Sequence, residues 1–342
     1  MGLKAFRYIQ VSNVEGTPGL AEAAVEIFYG TSKFDAGVTI HQPVEDRNSL
    51  ALNVATDLVV GKEAHLTLTG DINFRHALWL CAMSICGNVT PTQPSTTLQP
   101  LAYLWTFDPT LTAANTPDIT AGIDTFTFEV GDDTQNFEAE YCFATKLEIS
   151  GAPNEACKFT ASITGRQWSK TEKTPALLAQ AVQYAPFNLA KFWLDTTGAG
   201  IGVTPVTGLL KGFTWTLDTK FKPQYCPDGQ LYFSSVVEDA KGPELKLTYG
   251  WGTAALAEQA YYLDRTKRFA RIGLRGTTAI DVGQANVPYL YLDQCIQYSD
   301  WPEWGDSDGL TTFEVTCKPV YDADWAKIFR ALLLTTLSAY PT

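Results

Sequence analysis

Threonine alternates with apolar residues along much of this 342-residue chain, and no other feature limits its possible folds as strongly. Period-two alternation is typical of antiparallel strands that have one buried face and one face in water. β-Branched threonine suits the solvated face of such a pleated sheet. The clearest runs are 66–72, 125–130, 159–164, 213–217, 245–249 and 312–317. The sequence therefore predicts a mainly β fold.

Helical patterns are few. Residues 74–85 carry apolar side chains along one side of a helix and are followed by Gly87, and residues 254–263 form a second candidate. A third helix is predicted at the C-terminal end, where Asp322 can act as the cap. Its apolar residues recur at helical spacing: Trp325, Ile328, Phe329, Leu332 and Leu333.

The length favours two domains. Residues 171–187 have few strand signals and two prolines, so the boundary is placed there, with domains at 1–175 and 176–342 and the predicted C-terminal helix closing the second. Two short matches, 128–130 with 313–315 and 159–168 with 245–251, favour two β domains of related build. Residues 31–62 are weakly periodic and predict an extended hairpin or arm that projects from the first domain.

The formal net charge of −12 makes binding to nucleic acid phosphates or to an anionic membrane a poor expectation. The most apolar stretch, 77–86, has about half the length of a membrane span, so no membrane anchoring is predicted. The N-terminal residues show no signal-peptide pattern. Seven cysteines without a Cys-x-x-Cys pair indicate reduced thiols in a protein made in a cytoplasm.

No motif for chemistry stands out. The three histidines lack metal-ligand spacing, and the glycine run 198–202 is not followed by the helix that a dinucleotide site needs. The sequence therefore predicts no catalytic residue, no cofactor site and no metal site. One aromatic and acidic segment, with Trp301 and Trp304 among three aspartates, leaves carbohydrate binding open as an alternative.

Charge is unevenly placed. Between Arg75 and Lys146, 70 consecutive residues contain no Lys or Arg. A basic cluster lies far along the chain: Arg265, Lys267, Arg268, Arg271 and Arg275. Complementary patches on distant surfaces favour head-to-tail contacts between copies, which build rings or filaments. The basic cluster is therefore predicted to meet carboxylates of a neighbouring domain or ring.

In the order of its elements the chain resembles tail tube proteins of long-tailed bacteriophages, in the variety with two tube domains fused in one chain. In the first half the resemblance rests on segments 66–71, 104–107, 125–132, 142–149 and 159–166, with the short apolar helix that ends at Gly87. In the second half it rests on Gly276 and on segments 213–217, 227–229, 268–272, 308–309, 313–315 and 320–322. Together these elements span most of residues 60–337.

The resemblance implies a structural virion protein without catalysis, assembled in the host cytoplasm and located in the phage tail. Each domain would be a β-sandwich with a flanking helix, and sheets of neighbouring domains would join into a ring-shaped barrel. Six domains usually complete a ring, so a two-domain chain would form homotrimeric, pseudo-hexameric rings. Stacked rings would surround a tape measure protein, meet tail-end proteins, and later conduct DNA without binding it specifically. The arm would help to join rings.

In such a tube, polar strand faces line the bore. Five carboxylates of the segment without basic residues are predicted to form an acidic bore that repels DNA phosphates: Glu129, Asp132, Asp133, Glu138 and Glu140. Because related phage components share β-sandwich modules, a tail terminator, a distal tail protein or a head decoration protein is the alternative within this class.

Overall fold

The computed structural model describes residues 7–42, 57–109, 122–239, 242–300, 305–307 and 309–341. Strands account for 49% of the structure and helices for 8%, so the prediction of a mainly β fold is confirmed. All six of the alternating runs that stand out in the sequence coincide with strands, with Ile72 and Thr125 lying one residue outside them.

The described residues among 1–175 form nine strands and one α-helix. They are β1 (Tyr8–Val14), β2 (Ala24–Ile27), β3 (Thr31–His41), β4 (Leu58–Asp71), α1 (Ala77–Ala82), β5 (Tyr103–Phe107), β6 (Phe126–Gly131), β7 (Asn136–Gly151), β8 (Lys158–Gly165) and β9 (Gln167–Thr171). We call this part of the chain the first half. Its helix is shorter than the predicted span of 74–85, and all six of its residues are buried.

In residues 176–342, the second half, the described part of the chain forms ten strands and one α-helix. They are β10 (Lys191–Asp195), β11 (Leu210–Asp218), β12 (Lys222–Gln224), β13 (Ser235–Val237), β14 (Glu244–Gly250), α2 (Thr253–Leu263), β15 (Arg268–Arg275), β16 (Tyr289–Tyr298), β17 (Gly305–Ser307), β18 (Leu310–Pro319) and β19 (Phe329–Thr335). Two 3₁₀ turns, Phe187–Leu189 and Gly198–Gly200, also lie here. The predicted helix at 254–263 is confirmed as α2.

The predicted C-terminal helix is wrong, because residues 329–335 form β19. Asp322 does accept a hydrogen bond from the Trp325 backbone N–H, at 2.8 Å, but Ala326 then takes a left-handed φ of 57° and ends the turn. Beyond it, β19 lies between β16 and β5. A strand that is paired on both edges and packed against apolar residues has a continuous apolar sequence. The periodicity of such a sequence does not distinguish a strand from a buried helix.

The pairing order of the first half repeats in the second. In the first half, β3 pairs with β4, β4 with β8, β8 with β7, β7 with β6 and with β9, and β6 with β1. In the second half, β11 pairs with β14, β14 with β18, β18 with β16, β16 with β15 and with β19, and β15 with β10. Each helix lies at the same place in this order, directly after β4 or β14.

The two halves share one apolar core. A single cluster of buried residues draws members from both, including Trp79 of α1 and Phe329 of β19. The end of the chain returns to the first half, where the Trp105 indole N–H donates to the Leu337 carbonyl at 2.9 Å. Tyr340 packs its ring against Trp79 and Trp105 at centroid distances of 5.6 Å. Folding therefore couples the two halves.

Candidate assembly surface

A single antiparallel sheet runs through both halves. It follows the order β3, β4, β8, β7, β11, β14, β18, β17, and we call it the continuous sheet. The two halves meet where the C-terminal part of β7 pairs with β11 over six residue pairs, from Lys146 opposite Asp218 to Gly151 opposite Phe213. We call this junction the seam.

Close packing at the seam depends on a glycine. A Cβ on Gly151 would lie 2.6 Å from the rings of both Phe187 and Phe213, which is closer than real Cβ contacts. These two rings stack with centroids 6.2 Å apart. Two large aromatic side chains therefore fill the space beside Gly151 and hold the sheets of the two halves together.

The solvent face of the continuous sheet is rich in hydroxyl groups. Strand registers place its Ser and Thr residues on one face: Thr67, Thr69, Ser150, Thr160, Ser162, Thr164, Thr214, Thr216, Thr248 and Thr316. Charges of both signs lie between them, such as Lys146 and Glu148 with a 3.0 Å contact and Lys246 and Glu244 with a 3.9 Å contact. The face is therefore polar but carries no continuous track of one charge.

The continuous sheet has two open edges. Among the described residues, β3 pairs only with β4, and β17 pairs only with β18. Because every pairing between them is antiparallel, β3 and β17 run in opposite directions, as β11 and β7 do at the seam. Open edges of this kind offer unpaired N–H and C=O groups to another chain. They are the features of the molecule best suited to assembly.

The predicted acidic residues belong to the other sheet of the first half, in which β1 pairs with β6, β6 with the N-terminal part of β7, and that part of β7 with β9. Glu129 lies in β6, is only 2% exposed, and accepts hydrogen bonds from the Thr174 N–H and hydroxyl at 2.7 and 2.6 Å. Asp132 accepts from the backbone of the turn between β6 and β7, and these bonds lower its pKa. Asp133 is exposed in the same turn.

Glu138 and Glu140 lie in the N-terminal part of β7. Glu138 stands directly opposite Glu129, and burial together with the Glu129 charge raises the pKa of Glu138. Burial also raises the pKa of Glu140, although Arg166 approaches it at 3.3 Å. These carboxylates do not lie on the solvent face of the continuous sheet, and four of the five, all except Asp133, have polar partners within their own half.

The two central residues of the predicted basic cluster are paired inside the chain. Arg268 makes a two-bond contact with Glu258 of α2 at 2.7 and 3.0 Å, and both side chains are buried. Arg271 makes a similar contact with buried Asp293 at 2.5 and 2.8 Å, and Arg330 shares that carboxylate. These two guanidinium groups therefore stabilise the second half.

The remaining three residues of the cluster are better placed for contacts between copies. Arg265 is exposed just after α2, where its guanidinium donates to the Tyr298 carbonyl at 3.2 Å. Lys267 donates to the Tyr321 carbonyl and approaches Asp322 at 3.4 Å. Arg275 is partly exposed at the end of β15.

The described part of the chain contains no group of three or more His, Cys, Asp or Glu side chains that could hold a metal ion. Among its helices, none is long and apolar enough to cross a membrane. The segment with Trp301 and Trp304, which suggested carbohydrate binding, lies outside the described residues.

No protein-family model matches this chain, and none of the curated proteins compared with it shows significant sequence similarity. The geometry of the continuous sheet is therefore the guide to function. Its seam and its open edges do not correspond to any short motif. The signal in the sequence was the alternation itself, which marks the strands but not the order in which they pair.

Proposed function

We propose that this chain is a structural protein that polymerises into stacked rings and forms the tail tube of a long-tailed bacteriophage. In this role it has no catalytic function, and its principal partner is a second copy of itself. A tape measure protein during assembly, tail-end proteins and passing DNA are the further partners of such a tube. Its location is then the virion tail.

The observation that carries the proposal is the seam between two halves of equivalent pairing order. Each half supplies four strands to the continuous sheet, in the order β3, β4, β8, β7 and then β11, β14, β18, β17. We interpret the halves as two related tube domains, joined within the chain by the contact that would join successive copies. The open edge of β3 in one copy would then pair with the open edge of β17 in the next copy, as β11 pairs with β7 at the seam.

The seam supplies a register for the contact between copies. β7 pairs with β6 up to Cys142 and with β8 from Phe143 onward. In the same way, β16 pairs with β15 up to Ile296 and with β18 from Ile296 onward. The exact register comes from the next strand, where Ile163 of β8 and Cys317 of β18 are both buried and pair with Leu66 and Leu245, respectively. Aligning the halves at Ile163 and Cys317 makes Phe213 equivalent to Ser32, and Gly151 equivalent to Asp306. Since Phe213 lies opposite Gly151 at the seam, Ser32 is expected opposite Asp306 of the next copy.

Ring size follows from strand number. Three copies would close a barrel of about 24 strands, which at a spacing of ~4.8 Å and a tilt of ~40° has a backbone diameter of roughly 50 Å. After side chains are subtracted, such a bore still admits a DNA duplex. A ring of two copies would have a bore little more than half as wide as the bore of the three-copy ring.

We propose the solvent face of the continuous sheet as the bore wall, in place of the five carboxylates of the other sheet. Hydroxyl groups there are interspersed with lysines that have nearby carboxylates, such as Lys146 beside Glu148. A track of unpaired basic groups would bind phosphates through counterion release. A wall of hydroxyls and mixed charges offers no such track, so DNA would slide along it without being held.

The proposed register predicts a specific disulfide. In a background with the exposed Cys226 changed to Ser, the double variant Ser32→Cys with Asp306→Cys should form covalent chains or closed trimers under mild oxidation. Directly opposite residues of antiparallel strands bring their Cβ atoms to about 4.5–5.5 Å, within reach of a disulfide. Non-reducing gel electrophoresis measures the product.

The matched control is Lys33→Cys with Asp306→Cys. A shift of one residue moves the thiol of β3 to the opposite face of the sheet, so this pair should remain unlinked. Equal cross-linking of both pairs, or none from the Ser32 pair, would contradict the proposed edge contact.

A further inference from the structure

The paired strands β3 and β4 carry an apolar face that continues past their last buried residues. Phe34 lies opposite buried Leu66, and Ala36 lies opposite buried Ala64. The register then skips Val60 of β4, so β3 keeps its alternation and places Val38 and Ile40 on the same face as Phe34. Their exposures are 39% and 53%, which leaves this end of the face largely uncovered in one chain.

The equivalent end of β11, in the second half, is covered by the chain that follows it. Between β11 and β14, residues 219–239 reach back over the first half, and three of their apolar side chains are buried against three of its own. This cluster consists of Phe221, Phe233 and Val236 together with Ile123, Tyr141 and Phe143. The connection is anchored at its start, where the Thr219 hydroxyl donates to the Ala144 carbonyl at 2.9 Å.

We infer that Val38 and Ile40 dock on the second half of the next copy in the same ring. This inference rests on the proposed ring. The alignment that gives the edge register makes Val38 equivalent to Thr219, and Tyr298 equivalent to Ala144. The tip of β3 is therefore brought beside Tyr298, at the end of β16, in the neighbouring copy.

The surface at that place suits an apolar partner. Leu263 at the end of α2 is 70% exposed, and Tyr321 is 44% exposed. Arg265 lies beside Tyr298 and carries its guanidinium 5.0 Å from the centre of the Tyr262 ring. We call Leu263, Arg265 and Tyr321 the α2-end patch. Two apolar side chains placed there would remove apolar surface of both copies from water.

The direct test is photo-cross-linking from the tip of β3. A photoreactive phenylalanine analogue at position 40 should cross-link to residues 262–267, 297–300 or 321 of a second copy, as identified by mass spectrometry of the assembled protein. The same analogue at position 58 is the matched control. Leu58 is 58% exposed but pairs with His41, on the opposite face of the paired strands, so it should not mark the patch.

A pair of variants supplies the second readout. Val38→Ser with Ile40→Ser should raise the protein concentration needed for assembly on the order of tenfold, which corresponds to about 1.4 kcal/mol. Leu58→Ser should leave it unchanged. Cross-links from position 40 to another region, no cross-link, or equal effects of the two variants would overturn the inference. If the Ser32 and Asp306 disulfide still forms in that case, the proposed ring stands without the docking.

Discussion

Proline at position 32 and proline at position 33 should both abolish assembly, while only one of them destabilises the single chain. Adjacent N–H groups of a strand point to its opposite edges, so one of these two groups belongs to the β3–β4 ladder and the other faces the open edge. Proline removes the N–H at its own position and does not fit a central strand. The proline variant that loses the N–H facing the open edge should therefore fold normally and still fail to close a ring.

Ser32→Ala and Lys33→Ala are the matched controls, because they change the same side chains and keep both N–H groups. The measurements are the thermal midpoint below the assembly concentration and light scattering above it. Assembly of both proline variants at wild-type concentrations would show that this edge is not used.

Arg268→Ala should lower the free energy of unfolding by about 3–5 kcal/mol, because it leaves Glu258 as a buried charge without its cationic partner, with the Tyr298 hydroxyl still donating to it at 2.8 Å. The guanidinium makes two hydrogen bonds to this carboxylate and lies 4.2 Å from the centre of the Tyr261 ring. A urea unfolding curve of the unassembled chain measures the change.

Lys222→Ala is the control for this substitution. Lys222 contacts Asp239 at 3.1 Å on the surface, with both side chains more than half exposed, so its loss should change stability by less than about 1 kcal/mol. Arg268→Met combined with Glu258→Leu should recover much of the loss, since apolar pairs replace buried ion pairs well. A loss from Arg268→Ala as small as that from Lys222→Ala would contradict a role inside the fold.

Alternation predicted the strands of the continuous sheet because those strands have one wet face. Leu66 and Leu68 are buried while Thr67 and Thr69 face solvent, as the period of two requires. The same pattern wrongly predicted a solvated polar face for β6, where polar and apolar residues are both buried. There Glu129 is satisfied by Thr174, from a segment distant in sequence, and a local pattern does not report such a partner.

The internal repeat was expected, but from matches that do not correspond. Residues 128–130 lie in β6 and residues 313–315 in β18, whereas the pairing order makes β6 equivalent to β15 and β18 equivalent to β8. Strands tolerate wide changes in sequence as long as their apolar faces are kept. Equivalence is therefore visible in the pairing order, which depends on contacts between distant residues, and short sequence matches do not carry it.

Electron microscopy of the purified protein over a range of concentrations tests the central proposal most directly. We predict hollow tubes, or rings that convert to tubes as concentration rises, with three chains per ring and a pseudo-sixfold wall. The innermost wall should be a β-barrel with a backbone diameter of roughly 50 Å, in which β3 of each copy pairs with β17 of the next. Closed rings that never stack would favour a terminator or another ring component of a phage particle. A monodisperse monomer at every concentration, salt and temperature tried would contradict the proposal.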